Sequence, residues 1–584
     1  MQNKTDAVLQ IMNKMPTSQQ EQAKQTLGNF GFGTIANIDV LVKYNGDIEK
    51  VANEVGGTVQ ILSTKFAVMS IPEAAGMNTL LEFSEIEYME TPKLLSYNVN
   101  TSLSNSCITS VKTKSPYNLK GKGVLLGIID SGIQYAHPDF INEDGTSRIL
   151  YIWDQSIEGQ PPKGFKIGTE YNNEQINRAI KQRTKSERLA IVPSQDDIGH
   201  GTHIAGIAGG NGKMSNGKYE GIASEAQFLI VKLGKGGSNG AYIRNIEIML
   251  AVKYVIEKAR DLKMPIAINI SNGMNEGPHD GQSLIEQYLD EFSQMWKNNI
   301  VVAAGNEGAS NTHTYLKIEN GDSTSFSFQV GENQKSYALS VWKSFIDILE
   351  FEVVTPSGGK SRRIRYKDGP IQAVIDRTRI YATFSGPSPL NGDEEFALYL
   401  AEISDVGVAK GIWTINVYGI DVIDGNVHAW GPTLEIGGAD TYMLEPIRNS
   451  TVTTPGTARN VITVGAYNDL TNQIANFSGV GFTRDGTIKP EITAPGVDIT
   501  GPSITGNYIS YSGTSMATPH VTGAVALMME WGIVRKHQPF LYGEYLKTFL
   551  LRGAKRENID APSTEWGYGK LCLKSAFDIL VKNG

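Results

Sequence analysis

The spacing of apolar positions changes along the chain and first predicts a small mixed domain. Between residues 37 and 90, apolar segments and short amphipathic stretches follow in the order strand, helix, strand, strand, helix, strand. This βαββαβ order is typical of a ferredoxin-like, or split βαβ, domain. The residues before it are polar except for an amphipathic patch from Val8 to Met15, and "TPKLLSYNVNTSLSNS" after it is expected to be an exposed linker.

From residue 122 the pattern changes to fully apolar strands that alternate with helix-length amphipathic segments. The strands are "VLLGII", "FLIVKL", "IAINIS" and "IVVAAG", and the same pattern resumes at "NVITVGAYN" and continues to the C-terminus. Strands that are apolar on both faces and separated by helices indicate an α/β fold, a parallel sheet with helices on both faces.

Between Ser310 and about Ser450 the segments become short and alternating, with Gly, Pro, Asn and Asp between them and no helix-length period. This pattern predicts an inserted all-β domain, a sandwich or jelly roll, in which Trp413 is packed inside. We therefore predict four regions. They are residues 1–96, residues 97–308 as the first part of the α/β domain, residues 309–450 as the insertion, and residues 451–584 as its second part.

The composition excludes some classes of function. The 584 residues are 40% hydrophobic and 20% charged with a net charge of −8, so nucleic acid is not an expected partner. The N-terminus has no continuous apolar segment and the chain no run of about eighteen apolar residues, so we expect no secretory signal and no membrane span. Cys107 and Cys572 are expected to be free thiols in a reducing compartment.

Four polar residues stand where strands of such a sheet end or where a helix begins: Asp130, His200, Asn306 and Ser515. Each has a structural alternative when taken alone, as a turn residue, a helix cap or, for His200 with His203, half of a metal site that lacks a third ligand. Together they supply a nucleophilic hydroxyl, an imidazole base, a carboxylate that orients the imidazole, and an amide donor for an oxyanion.

The sequences around these residues resemble the motifs of the subtilisin-like serine proteases. "IIDSGI", "GHGTHIAGI", "AAGNEG" and "GTSMATPHVTG" occur in that family's order, and the resemblance covers about residues 115–308 and 451–578. The resemblance implies a catalytic triad of Asp130, His200 and Ser515, with the side-chain amide of Asn306 as a hydrogen-bond donor to the oxyanion. Residues 35–91 resemble the family's inhibitory propeptide, so region 1–96 is expected to be a propeptide.

Further positions follow from the same resemblance. Ser271, Asn272 and Gly273 in "SNG", and Gly237 and Ser238 in "GKGGSNG", resemble the two edges that pair with substrate backbone. The family usually has an apolar or small residue at the position of Asn272, which leaves open the preference for the residue before the cleaved bond.

Three histidines inside these motifs, His137, His203 and His520, are expected to be structural, because the family's base is the first histidine of "GHGTH". No metal site and no cofactor are expected. Calcium stays open, because Asp139 stands where many relatives have a calcium ligand, although the companion loop "GGNGKMSNGKYEG" differs in length and order.

The absent signal, the β insertion and the propeptide together resemble the clostridial Csp germination proteases. That resemblance implies a jelly roll that stiffens the enzyme and a propeptide that is cut off but stays bound. It also implies packaging in the spore and, as substrate, the inactive precursor of a cortex-degrading hydrolase. We predict self-cleavage within Leu95, Ser96, Tyr97 and Asn98, after which the propeptide remains a partner.

Two other functions remain possible at this point. A pseudoprotease of the same group would act as a germination sensor or scaffold, but all triad positions and Asn306 are filled here. A carbohydrate- or protein-binding module would need exposed aromatic clusters on the loops of the β insertion, and Trp413 instead alternates as in a core strand.

Overall fold

The fully apolar strands form the central sheet in the computed structural model, which describes residues 4–14, 33–34, 37–72, 77–97, 106–113, 115–234, 243–403 and 406–583. Of the nine strands that these residues contribute, seven are parallel and two short ones pair antiparallel. In sheet order the strands are Gln473–Ile474, Ile462–Asn468, Asn298–Ala303, Ile266–Ile270, Leu125–Asp130, Gln227–Lys232, Ile149–Asp154 and Thr169–Asn172, with Ile492–Pro495 also beside Ile462–Asn468. The α/β prediction is therefore confirmed.

Helices cover both faces of this sheet, and each face has its own cluster of buried apolar residues. Two helices, His200–Gly209 and Thr514–Met529, are buried at every residue and pack against each other. The helices of the domain are Thr109–Thr113, Asn173–Ile180, Lys185–Ile191, His200–Gly209, Asn245–Asp261, Leu284–Ser293, Thr514–Met529, Gly543–Arg552 and Leu573–Asn583, with short turns at Pro138–Phe140, Lys213–Ser215, Glu307–Ala309 and Glu530–Val534. A hairpin, Ile499–Pro502 with Tyr508–Tyr511, lies beside the first of the two buried helices.

The N-terminal region forms a separate antiparallel sheet. Its strands are Gly33–Thr34, Asn37–Tyr44, Thr58–Ile61, Phe66–Pro72 and Ile86–Glu90, and its helices are Ala7–Lys14, Ile48–Glu54 and Met77–Glu82. From residue 37 onward the elements follow in the order strand, helix, two strands, helix, strand. Helix Ala7–Lys14 buries its apolar residues in one cluster with Tyr381, Ala397 and Tyr399 of the β insertion, so this region contacts the insertion directly.

The β insertion consists of two antiparallel sheets around a shared apolar cluster. One sheet contains His313–Lys317, Asn426–Trp430, Ser336–Lys343, Glu394–Glu402, Thr378–Ser385 and Ile371–Ile375, and the other contains Ile348–Val354, Gly411–Asp421, Ser323–Val330 and Tyr442–Met443. Short helices lie at Tyr366–Asp368 and Leu434–Gly437. Trp413 is fully buried in this cluster, so it is a packing residue.

The expected exposed linker after the N-terminal sheet is wrong for its first residues. Leu94–Tyr97 is a strand between Ile243–Arg244 and Asn272–Gly273, and it pairs antiparallel with both. Leu94, Leu95 and Ser96 are buried. The whole stretch is polar in composition, which hid a four-residue strand within it. The backbone groups of these four residues form hydrogen bonds with two strand edges of the α/β domain.

The prediction of two free thiols is also wrong. Cys107 and Cys572 form a disulfide, with their Cα atoms 4.8 Å apart. Their sequence separation is 465 residues, so only the tertiary fold brings them together. The bond joins the start of the α/β domain to the beginning of its last helix, Leu573–Asn583.

Carboxylates accumulate where the N-terminal sheet, the α/β domain and the insertion meet. Asp6, Glu90, Glu276 and Glu395 lie around Lys93, the one cation of the described residues that acts on these glutamates, and its Nζ lies 3.9 Å from Glu90 Oε2. Burial raises the pKa of Glu90 and of Glu276 to about 7. Lys93 lowers both pKa values, and the neighbouring carboxylates raise them further. The junction therefore holds more negative charge at high pH than one lysine neutralises.

We expect the docking at this junction to weaken as the pH rises from 5 to 8. Because the folded-state pKa values of Glu90 and Glu276 are raised, their contribution to stability is complete below the unfolded value of about 4.5 and is lost as pH rises through about 7. The double substitution Glu90→Gln with Glu276→Gln should flatten the dependence of the melting temperature on pH and raise that temperature at pH 8.

The control is Glu82→Gln, which alters an exposed glutamate of the same N-terminal domain and should leave the slope unchanged. A double variant with the wild-type slope would show that these carboxylates do not couple docking to protonation.

Candidate active site

The carboxyl end of a central strand places an aspartate against a histidine. Asp130 is the last residue of Leu125–Asp130, and His200 is the first residue of His200–Gly209. The His200 Nδ1 and Asp130 Oδ1 atoms lie 2.8 Å apart, and both side chains are fully buried. This contact fixes the orientation of the imidazole and stabilises its protonated form, as a base that later returns its proton requires.

Asp196 holds the start of the His200 helix in place, a role that the sequence analysis missed. Its carboxylate accepts hydrogen bonds from Gly199 N at 2.7 Å, Thr202 N at 2.9 Å and the Ser131 hydroxyl at 2.8 Å. These bonds satisfy N–H groups of the first helical turn and tie that turn to the residue after Asp130. The signal was "DDIGHG", where an aspartate precedes the helix by four residues.

Glycine is required at the point where this helix crosses the aspartate. A Cβ on Gly201 would collide with Gly132 O and would lie 3.2 Å from Asp130 Cβ. The backbone N–H of Gly201 donates to Ser131 Oγ at 2.9 Å. The close approach that brings His200 to Asp130 is therefore possible only without a side chain at residue 201.

Ser515 lies in the first turn of the second buried helix, Thr514–Met529. It is fully buried, and its hydroxyl donates to Ser271 O at 3.2 Å. N–H groups in the first turn of a helix have no partner within the helix and lie at the positive end of its dipole. The Ser515 N–H is therefore suited to stabilise a negative oxygen next to its own hydroxyl.

Asn306 follows the strand Asn298–Ala303 and is oriented by the serine helix. Its Oδ1 accepts hydrogen bonds from Thr514 N and Thr514 Oγ1, both at 3.0 Å. Because Oδ1 accepts from Thr514, the Nδ2 group of the same amide points away from Thr514 and can donate to another atom. The donor thus belongs to the same rigid unit as Ser515, since Thr514 is the preceding residue.

The predicted substrate edge, Ser271 to Gly273, is occupied by the chain's own strand. Asn272 pairs with Tyr97 and Gly273 with Ser96, antiparallel. The opposite side of the same strand pairs with Ile243–Arg244, which follows the predicted edge at Gly237 and Ser238. Gly237 and Ser238 lie outside the described residues, as does Asn98 of the predicted cleavage segment.

The side chain of Thr453 lies between the Gly273 edge and the segment before Asn306. A Cβ on either Gly273 or Gly305 would collide with it. The hydroxyl of Thr453 and both polar atoms of Asn272 are buried without a hydrogen-bond partner among the described residues. The surroundings of the predicted substrate edge are therefore polar on this side.

The other predicted positions have structural contacts. Burial lowers the pKa of His203 to about 3 and of His520 to about 4, and it lowers that of His137, so these side chains stay neutral at pH 7. Asp139 accepts hydrogen bonds from Tyr508 Oη at 2.7 Å and Met214 N at 3.0 Å. Within the described ranges, no group of three His, Cys, Asp or Glu side chains is arranged to hold a metal ion. That the chain needs no cofactor stays a prediction, and calcium stays open.

Comparison with known proteins gives two family matches. The Subtilase family matches residues 121–386 and 425–569, and the Csp protease B prodomain matches residues 3–93. The solved structure of the Clostridium perfringens CspB protease is 34% identical, covers 82% of this chain and 97% of that chain, and superposes with a TM-score of 0.75.

More distant curated relatives are long proteases. The PII-type proteinase of Lacticaseibacillus paracasei is 23% identical over 601 residues, covering 92% of this chain and 30% of the relative. The minor extracellular protease Vpr of Bacillus subtilis is 22% identical over 452 residues, covering 74% of this chain and 48% of the relative. The chain thus spans about 30% of the length of the first curated relatives that it matches.

Replacing Asn306 by Ala tests the oxyanion geometry. We expect the rate of self-cleavage of the full chain to fall about 10²–10³-fold, because the lost donor acts on charge that develops only in the transition state. The readout is the cleaved fraction against time on denaturing gels after in vitro translation, and the control is Asn53→Ala, an exposed asparagine of the N-terminal domain. An unchanged rate in the Asn306 variant would remove this residue from the site.

Proposed function

We propose, from the premise that this chain belongs to the subtilase family of serine endopeptidases, that it cleaves its own N-terminal domain from the α/β domain. The observation that carries this proposal is the pairing of strand Leu94–Tyr97 with the edge Asn272–Gly273. Ser271 is the residue next to this edge. Ser271 O is the atom that the Ser515 hydroxyl contacts. A peptide leaving this strand thus passes the nucleophile.

The side chains around Ser515 support acyl transfer. Rotation of the hydroxyl from Ser271 O toward His200 lets the imidazole take its proton while Oγ attacks the peptide carbonyl. Asn306 Nδ2 and the Ser515 N–H hold the resulting oxyanion. His200 then gives the proton to the leaving amine, and a water molecule, deprotonated by His200, releases the acyl group from Ser515.

The register supports one bond, directly after the last residue of the predicted segment. Gly273 pairs with Ser96 and Asn272 with Tyr97. Extending this register by one residue predicts that residue 98 is opposite Ser271, whose carbonyl accepts from the Ser515 hydroxyl. We therefore place cleavage between Asn98 and Val99, at the C-terminal end of the segment from Leu95 to Asn98. A polar side chain at residue 98 also suits the unpartnered Thr453 hydroxyl.

The N-terminal domain is proposed to remain bound after cleavage. Leu94 to Ser96 stay buried between two edges, and helix Ala7–Lys14 packs on the insertion. A product held by both contacts occupies the cleft and inhibits the enzyme. In this proposal the ferredoxin-like propeptide runs to the cut after residue 98, two residues beyond the boundary predicted at residue 96. Residues 99–308 and 451–584 are the catalytic domain, and residues 309–450 are a jelly roll.

The natural substrate and location are proposed from the Csp resemblance. The Csp protease B prodomain match and the likeness to the Clostridium perfringens CspB protease support placing the chain in that group. We propose that it is packaged in the spore and activates, by limited proteolysis, the precursor of a cortex-degrading hydrolase during germination. No helix within the described residues has the length and apolar character needed to cross a membrane.

Replacing Ser515 by Ala tests self-cleavage. Wild-type protein should yield a large fragment whose N-terminal sequence begins at Val99, whereas the variant should stay a single chain, because no other described group supplies the nucleophile. The control Ser510→Ala alters an exposed serine in the preceding strand and should be cut normally. Edman sequencing of gel bands gives the bond.

An intact wild-type chain that also fails to react with a serine-directed phosphonate would show a catalytically silent scaffold. A cut beyond Ser110 would contradict the register on which the proposed bond rests.

A further inference from the structure

The β insertion reaches the active site through one short helix. Leu434–Gly437 has Thr433 at its N-terminal cap, and the Leu434 N–H donates to Glu307 Oε2 at 3.2 Å. Glu307 is the residue after the oxyanion asparagine and is buried. A second link joins Asn275 Nδ2 to Gly431 O at 3.1 Å, also buried. The helix is thus anchored to both sides of the cleft.

The same helix touches the strand that lies in the cleft. Ser96 Oγ and Thr433 Oγ1 are 3.4 Å apart, and both residues are buried. The Ser96 hydroxyl also hydrogen-bonds Glu435, which partly offsets the desolvation that raises the pKa of that carboxyl. Ser96 is the third residue before the proposed bond. Its side chain therefore contacts the insertion, while its backbone pairs with Gly273 of the α/β domain.

The charge on this face is negative and has no cationic partner. Burial, followed by the nearby Glu435, raises the pKa of Glu307 to about 7, and the main groups that shift the pKa of Glu307 or of Glu435 include no lysine or arginine of the described residues. Glu435 itself is exposed at the rim of the cleft, where an incoming side chain can reach it. Among the described residues of the chain's own segment, Ser96 offers a hydroxyl to this carboxylate.

We propose that Thr433 and Glu435 of the insertion form a substrate subsite that selects a lysine or arginine at the position of Ser96, the third residue before the cleaved bond. The inference rests on the proposed function, because it needs a peptide cleaved in this register. The insertion thereby takes part in substrate choice, and an acidic side chain at this position is disfavoured by like charge.

Self-cleavage of the full chain tests the subsite without an external substrate. Ser96→Lys and Ser96→Glu are each combined with wild-type Glu435, with Glu435→Gln and with Glu435→Lys, and cleavage is timed on denaturing gels after in vitro translation. With Glu435 the lysine chain should be cut about fivefold faster than the glutamate chain, the scale of a partly exposed ion pair. The preference should disappear with Gln and reverse with Lys.

The control Glu319→Gln changes an exposed glutamate before the strand Ser323–Val330 of the same insertion and should leave the preference unchanged. If both single Ser96 variants are too slow to measure, the charge-swapped pair Ser96→Glu with Glu435→Lys should restore cleavage. Equal rates for lysine and glutamate in every background, or no restoration by the swap, would overturn the inference. Absence of cleavage in the unaltered chain would instead refute the proposed function.

Discussion

The antiparallel pairing of Leu94–Tyr97 with two strand edges is the constraint on which the rest of the arrangement depends. Backbone hydrogen bonds set the register of this strand largely independently of its side chains. Four paired residues therefore suffice to position the end of the N-terminal domain relative to Ser515. It also satisfies backbone groups on both edges that would otherwise need water. The N-terminal domain, the α/β domain and the insertion meet around this strand, and each contributes contacts to it.

The reactive groups are held by two helices that tolerate little displacement. His200–Gly209 and Thr514–Met529 are buried throughout and pack on one another, so their first turns cannot shift separately. Asp196 fixes one first turn, and Thr514 connects the other to Asn306. Placing the proposed base, nucleophile and oxyanion donor on such rigid elements meets the positional accuracy that catalysis requires.

The sequence predicted what depends on local pattern. Fully apolar strands, the alternating segments of the insertion and the four motifs each occupy short continuous stretches, and the structure forms strands at these apolar segments. What it did not predict joins residues far apart. Cys107 meets Cys572, and Ser96 meets Thr433 across 337 positions. "LLSY" is also too short and too mixed to be recognised as a strand, because its partners are edges of another domain.

The contact between the insertion and Ser96 also changes how an insertion of this kind is understood. A domain that only stiffened an enzyme would need contacts away from the cleft, such as the shared apolar cluster with helix Ala7–Lys14. Here a helix N-terminus donates to the residue beside the oxyanion asparagine, and the adjacent side chains face the bound strand. Movement of the insertion would therefore alter Glu307 and the position of Ser96 together. The proposed substrate subsite and the attachment of the insertion consequently share the same few residues.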